Sequence, residues 1–197
     1  LEECKKLIGD GKKPVDLKKK YSKNLIKKSA LLSLKPRIIV CNVDEKSLPN
    51  GNKYSDACKK KFPEENIIVV CADIEDQIMG LETKDRKDFM FETGIKNTGL
   101  DNLIKTGYYT LGLSTFFTSG PEESRAWTIE KNSKAPDAAG VIHTDFKNKF
   151  IRAETVTHED FIKYKGFNEC KNAGKLRLEG KDYLVNDGDV MYFRIGS

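Results

Sequence analysis

Two short apolar runs restrict this 197-residue chain more than any other feature. Arg37-Ile-Ile-Val-Cys41 follows Pro36, and Asn66-Ile-Ile-Val-Val-Cys71 comes next. Each run is continuous rather than alternating, the pattern of strands covered on both faces. Between them, the stretch around Tyr54 to Phe62 has the polar composition of a surface helix. Strand, helix, strand implies a parallel pair joined by a right-handed crossover, because a parallel return needs a dozen or more residues. Open parallel sheets bind ligands at the carboxyl ends of their strands. Chemistry is therefore expected just after Cys41 and just after Cys71.

Upstream, Leu17, Tyr21, Leu25, Ile26, Leu31, Leu32 and Leu34 lie mostly three and four residues apart, which predicts an amphipathic helix over 17–34. Gly9-Asp10-Gly11 and Pro14 interrupt the pattern, so residues 1–8 read as the end of another helix joined by a short turn. This is a helical hairpin whose first arm is mostly absent. Beginning inside a helical pattern, without an initiator Met, the chain reads as cut. The net charge is +5, and residues 1–35 hold 11 Lys against 4 Asp/Glu. Lys5, Lys6, Lys12, Lys13, Lys18, Lys19, Lys20, Lys23, Lys27 and Lys28 form a basic face that suits phosphates, or equally a solvated helix surface. Only Tyr21 is interleaved for base stacking.

Downstream, residues 82–92 and 100–109 read as helices, the second with Leu100, Leu103, Ile104 and Tyr108 on one face. From residue 111 the pattern becomes compact. Leu113 to Thr118 and Arg125 to Ile129 are strand-like, with a turn at Pro121-Glu122. Ala138, Ile142 and Phe146 predict one helix over 137–147, and Ile151 to Val156 another strand. Thr157-His-Glu-Asp160 is placed to cap a short helix that includes Phe161. Tyr183 to Val185, an Asn186-Asp-Gly188 turn and Val190 to Ile195 close a small β-grasp-like domain.

Composition removes several classes of function. No apolar run approaches the roughly 18 residues of a membrane span, and the start lacks the pattern of a signal peptide. Cys4, Cys41, Cys58, Cys71 and Cys170 are odd in number and contain no C-x-x-C pair, which disfavours a disulfide framework or a zinc site. They read as reduced thiols of a cytoplasmic protein, with Cys41 and Cys71 buried as small hydrophobes. His143 and His158 alone leave little for a metal–histidine or serine–histidine site. No metal site is assigned.

The sharpest local feature is Asn42-Val43-Asp44-Glu45, directly after the first strand. GTPases carry Asn-Lys-x-Asp at such a place: the Asn amide ties the loop and contacts the purine, and the Asp accepts two hydrogen bonds from guanine. Here Glu45 carries the carboxylate one methylene further out, and Val43 replaces the Lys stem. The bidentate guanine contact is weakened, which favours adenine. Cys71-Ala72-Asp73 ends the second strand where the same proteins place a loop whose backbone N–H groups approach the base. A Gly-x-x-x-x-Gly-Lys-Ser/Thr phosphate loop does not occur in this sequence, and Gly9-Asp-Gly-Lys12 is too short and follows no strand.

Several longer strings carry a specific resemblance. Leu31 to Glu45 (LLSLKPRIIVCNVDE), Arg125-Ala-Trp-Thr-Ile129, Lys134 to Phe146 (KAPDAAGVIHTDF), Phe150-Ile-Arg-Ala-Glu154 and Ala173 to Met191 (AGKLRLEGKDYLVNDGDVM) resemble the YchF family, the Obg-like ATPases. The resemblance covers essentially the whole chain and the C-terminal half of a family member. It implies an α/β fold: residues 1–35 as the returning arm of a helical coiled-coil insertion, 36–110 as the C-terminal part of a P-loop NTPase parallel sheet, and 111–197 as a ubiquitin-like β-grasp TGS domain. It further implies a ribosome-associated protein that hydrolyses ATP. Asn42, Val43 and Glu45 carry over as adenine-reading positions, with the Val43 backbone facing the base, and Cys71 and Ala72 as the second loop. Catalytic residues and Mg²⁺ ligands are expected outside this chain, which should not hydrolyse nucleotide alone.

In the last domain Trp127 and Phe146 read as core, Gly140 and Gly188 as backbone requirements and His143 as structural. Arg125, Lys149 and Arg152 are candidate contacts to RNA or the ribosome, in a domain without net charge. The alternative function is a non-enzymatic RNA- or protein-binding module. No membrane or DNA partner is expected. A parallel sheet deprived of its early strands exposes edges and apolar faces, so self-association or disorder is expected over residues 1–109.

Overall fold

The computed structural model describes residues 2–196 apart from 12–16, 23, 24, 27 and 29, and the backbone alone of Lys18, Lys19 and Ser33. It divides into two compact units, residues 1–103 and 104–197.

In the first unit, α1 (Glu2–Gly9) and α2 (Leu17–Lys20) are tied by Glu3, which accepts hydrogen bonds from Lys20 Nζ at 2.7 Å and from the Tyr21 hydroxyl. Cys4 and Leu17 are buried. The helix predicted over 17–34 is not continuous. α2 ends at Lys20, Tyr21 lies in a bend, Ala30 has a left-handed backbone (φ 54°), and Leu32–Leu34 forms a 3₁₀ turn. Periodic leucines mark one face but do not by themselves keep a segment in one helix. Lys12, Lys13, Pro14, Lys23 and Lys27 lie outside the described residues, as do the side chains of Lys18 and Lys19.

The apolar runs form the expected parallel pair. β1 (Ile38–Asn42) and β2 (Asn66–Val70) align from Ile38 opposite Asn66 to Asn42 opposite Val70. Between them, α3 (Lys53–Lys61) begins in a capping box. Asn52 Oδ1 accepts from the Tyr54 and Ser55 amides at 3.0 and 3.2 Å, and Ser55 Oγ accepts from the Asn52 amide at 2.9 Å. The strands are not covered on both faces: Ile68 is buried, whereas Val40 is 45% exposed. Two strands make too narrow a sheet for helical layers to enclose both sides.

Directly after β2 comes a helix the sequence reading did not place, α4 (Ala72–Gly80), followed by the expected α5 (Thr83–Glu92) and α6 (Gly99–Leu111). Cys71, Ile74 and Ile78 bury themselves against Leu48, Phe89, Met90 and Ile95. Glu75 of α4 accepts hydrogen bonds from the Gly99 and Leu100 amides and so caps α6. The division between the units falls within α6.

The second unit is built on a five-stranded mixed sheet of order β4-β3-β7-β5-β6. Its strands are β3 (Leu113–Ser119), β4 (Ser124–Glu130), β5 (Phe150–Thr157), β6 (Arg177–Glu179) and β7 (Asp189–Ile195). β3 and β7 run parallel, and the other neighbours run antiparallel. On one face, Ala135, Ala138 and Ala139 of α7 (Ala135–Ile142) pack against Phe116, Ile129, Phe150, Ala153, Met191 and Phe193. The single helix predicted over 137–147 is two: His143 is extended (φ −157°, ψ 141°) and its Nδ1 caps α8 (Thr144–Asn148) by accepting from the Asp145 amide at 3.2 Å. On the opposite face, α9 (His158–Tyr164), capped by Thr157 as expected, and α10 (Phe167–Asn172) cover Val156 and Val190, with Cys170 of α10 buried against them. α10 and β6 were not anticipated, and of the strand expected at Tyr183 to Val185 only an isolated bridge, Leu184 to Lys134, is present.

Candidate functional site

Because β1 and β2 pair in register to their last residues, the two strand-end loops lie side by side. Asn42 spans them: its Oδ1 accepts a hydrogen bond from the Ala72 amide at 3.0 Å. That leaves the Asn42 side-chain NH₂ as a donor. Val43 continues the pairing by donating its amide to the Val70 carbonyl at 2.8 Å, and its side chain is 8% exposed. The Val43 side chain therefore points into the unit and does not occupy the place of a Lys stem over a base. Asp44 holds the following turn: its Oδ1 accepts from the Ser47 amide at 3.0 Å and from the Ser47 hydroxyl at 2.9 Å. Glu45 opens that turn with an exposed side chain that has no ion-pair partner among the described residues.

Cys71 is 1% exposed within the small core of α4, so only backbone is available from it. Ala72 is the first residue of α4, and its amide is engaged by Asn42. Cys41 is only partly buried, unlike Cys71, and burial, with the adjacent Cys58 thiol as a lesser cause, holds its thiol above the ordinary range. All five cysteines are free. Among the described residues, no cluster of three or more His, Cys, Asp or Glu is placed to hold a metal, and no helix is long and apolar enough to cross a membrane.

In the second unit the three candidate cations separate. Arg125 lies opposite Thr118 on edge strand β4, its guanidinium 4.3 Å from the centre of the Trp127 ring. Trp127 packs on the α7 side and donates from Nε1 to Thr118 Oγ1 at 2.9 Å. Arg152 stands on the other face of the sheet, directly opposite Arg194. Lys149 directly precedes β5, and its carbonyl accepts from the Gly196 amide at 2.8 Å. Arg125 and Arg152 thus share no surface.

Sequence reasoning missed Tyr192 and Arg194, which share the face of Arg152. The Arg194 guanidinium lies 4.5 Å from the Tyr192 ring centre, and its Nε donates to Glu154 at 2.9 Å. The signal was present in Val190-Met-Tyr-Phe-Arg-Ile195, where Met191 and Phe193 point to one face and Tyr192 and Arg194 to the other.

Residues 113–196 match the family model YchF-GTPase_C, described as a protein of unknown function (DUF933). The chain is 49% identical over 174 residues to the ribosome-binding ATPase YchF of Bacillus subtilis, covering 86% of this chain and 48% of that protein. It is 36% identical over 203 residues to Obg-like ATPase 1 of Pongo abelii, covering 99% and 51%. Among solved structures it matches the YchF GTPase of Schizosaccharomyces pombe with a TM-score of 0.80 and 33% identity, covering 98% of this chain and 53% of that one. The chain spans about half the length of these relatives.

Proposed function

The chain belongs to the YchF family, and we propose that it is the C-terminal part of a cytoplasmic, ribosome-associated P-loop ATPase that prefers adenine to guanine. In this reading residues 1–35 return from a helical insertion, 36–110 end the nucleotide-binding domain, and 111–197 are a β-grasp TGS domain. The observation that carries it is the Asn42–Ala72 hydrogen bond, which fixes two strand-end loops against each other at the carboxyl edge of a parallel pair.

With Oδ1 held by Ala72, the free Asn42 NH₂ is the group to donate to a purine ring nitrogen. Glu45, exposed and one methylene longer than Asp, is poorly placed for the two-point contact that guanine requires. The exocyclic amine of adenine needs only one acceptor. ATP and Mg²⁺ are the implied ligands. The residues here fit the base end alone, and the groups that cradle phosphates and metal would come from outside residues 1–197.

The test is nucleotide competition on the whole protein that contains this chain. ATP should displace a fluorescent ATP analogue more effectively than GTP does. Asn42→Ala should weaken binding roughly tenfold, the size of one lost hydrogen bond to a buried partner, and Glu45→Asp should move the preference toward GTP. A clear GTP preference in the unaltered protein would overturn the reading.

A second reading is favoured by one observation: residues 104–197 form a compact unit with its own core. That unit would then act as a binding module independent of nucleotide. Binding to ribosomal particles without ATP favours it, and strict dependence on ATP removes it. Within the leading proposal, the chain by itself should also self-associate, with the edges of β1 and β2 and the exposed Val40 as contacts.

A further inference from the structure

The two strand-end loops are held from behind by the start of α6. Val70, the last residue of β2, lies opposite Asn42 and accepts the Val43 amide at 2.8 Å. Its side chain abuts Gly99, where a Cβ would stand 2.7 Å from Val70 Cγ1. Because this buried position has no side chain, the α6 backbone closes directly on the strand end.

Glu75 makes a second connection. Its amide donates to the Cys71 carbonyl at 3.0 Å, closing the first turn of α4, in which Ala72 lies. Its carboxylate accepts from the Gly99 amide through Oε1 and from the Leu100 amide through Oε2, the latter at 3.2 Å. α4 has no side-chain cap at its own start. A residue of its first turn reaches across to α6 instead. Ala72, in that same turn, donates the hydrogen bond that orients Asn42. From Gly99 to Asn42 each step is a hydrogen bond or one closed helical turn, all within residues 1–103.

We infer that Glu75 is a positioning residue for nucleotide selection: by tying the first turn of α4 to α6 it holds the Ala72 amide on Asn42 Oδ1, and so keeps the Asn42 NH₂ aimed at the purine. The inference deepens the base-reading role proposed for Asn42 and rests on it. Glu75 acts through Ala72 and Asn42, without contact to the nucleotide. An Asn side chain carries a donor and an acceptor on one planar group, so a loosened Ala72 amide lets it turn and present either one to the base.

Nucleotide competition on the whole protein that contains this chain, run as a double-mutant cycle, tests this. Glu75→Ala should weaken ATP binding about fivefold, less than Asn42→Ala, because the donor is loosened rather than removed. In an Asn42→Ala background Glu75→Ala should cost nothing further, since residues acting through one bond are not additive. Glu75→Gln keeps one oxygen for the two amides and should fall between. Arg37→Ala breaks the Arg37–Glu65 pair at the other end of the same strands and should leave ATP binding unchanged. Hydrogen exchange of the peptide covering Ala72 should accelerate in Glu75→Ala and not in Arg37→Ala.

Unchanged ATP affinity in Glu75→Ala, additive losses in the double variant, or an equal loss with Arg37→Ala would each overturn the inference and reduce Glu75 to a cap. Should Glu75→Ala not fold, Glu75→Gln carries the same cycle. If the unaltered protein prefers GTP, yet Glu75→Ala weakens that nucleotide only when Asn42 is present, the adenine reading falls and the positioning role stands. A preference for ATP that Glu75→Ala leaves untouched does the reverse.

Discussion

A carboxylate with 2% exposure persists only among donors, and Asp189 has three. The Tyr183 hydroxyl donates at 2.6 Å, Arg177 Nη2 at 3.1 Å and the Asn186 amide at 2.9 Å. Together they close the Asn186-Asp-Gly188 turn, where Gly188 takes a left-handed backbone (φ 84°). The phenol of Tyr183 is pushed up to about 12 by burial, and then by its hydrogen bond to Asp189 and the charge of that group. Folding therefore favours the protonated phenol relative to the unfolded chain, whose value is near 10. This contribution is fully present below pH 10 and is lost as pH rises from about 10 through about 12. Denaturant unfolding followed by Trp127 fluorescence should show the loss, and Tyr183→Phe should abolish that part of the pH dependence. At neutral pH the same variant should cost about 1–3 kcal/mol, because a buried acceptor loses a donor. An unchanged decline above pH 10 in the variant would assign it to other groups.

At the scale of elements, the parallel pair, α3, α5, α6 and the strands β3, β4, β5 and β7 follow from runs and periods in the sequence, but burial follows the apolar pattern less closely in the first unit and at α6, where Val40, Phe91, Leu100 and Ile104 are exposed. The failures have local causes. A four-residue repeat of Ala138, Ile142 and Phe146 fits one helix, but the His143 side chain supplies a cap, and Gly140 lets Lys147 fold back to within 3.1 Å of where a Cβ would stand. α4 begins at the residue after Cys71 without a side-chain cap, so no start signal precedes it. At the candidate site, Asn42 was legible because a side chain that bridges two loops sits at a strand end. For Tyr192 and Arg194 the alternation was legible but their neighbours were not, since Arg152 and Glu154 are about forty residues away in sequence. The cap of α6 is equally non-local and makes an element-scale prediction. Gly99→Ala normally stabilises a helix by about 1 kcal/mol. Here the added Cβ would stand 2.7 Å from Val70 Cγ1 and 2.9 Å from Glu75 Oε1. The sign should invert, with a loss of about 1–3 kcal/mol from overpacking. Glu75→Ala should cost about 1 kcal/mol as a lost cap. Far-UV circular dichroism melts of both variants check this, and a Gly99→Ala chain that melts higher would contradict the packing.

The whole molecule joins two units whose interiors differ in kind. Residues 104–197 enclose aromatic, branched and small apolar side chains between a five-stranded sheet and α7, with a second cluster beneath α9 and α10. Residues 1–103 have a two-stranded sheet and a three-residue buried cluster at α4, and leave Phe91 88% exposed. Stability scales with the apolar surface removed from water, so the first unit should open at lower denaturant than the second. The chain supplies a convenient discriminator: its single tryptophan, Trp127, lies in the second unit, whereas helices occur in both. At low protein concentration, where association is slight, far-UV circular dichroism should fall in two steps with increasing urea. Trp127 fluorescence should report the later step alone. Coincident midpoints by both probes would mean a single cooperative transition, and then the smaller cluster would be drawing its stability from the larger one rather than standing on its own.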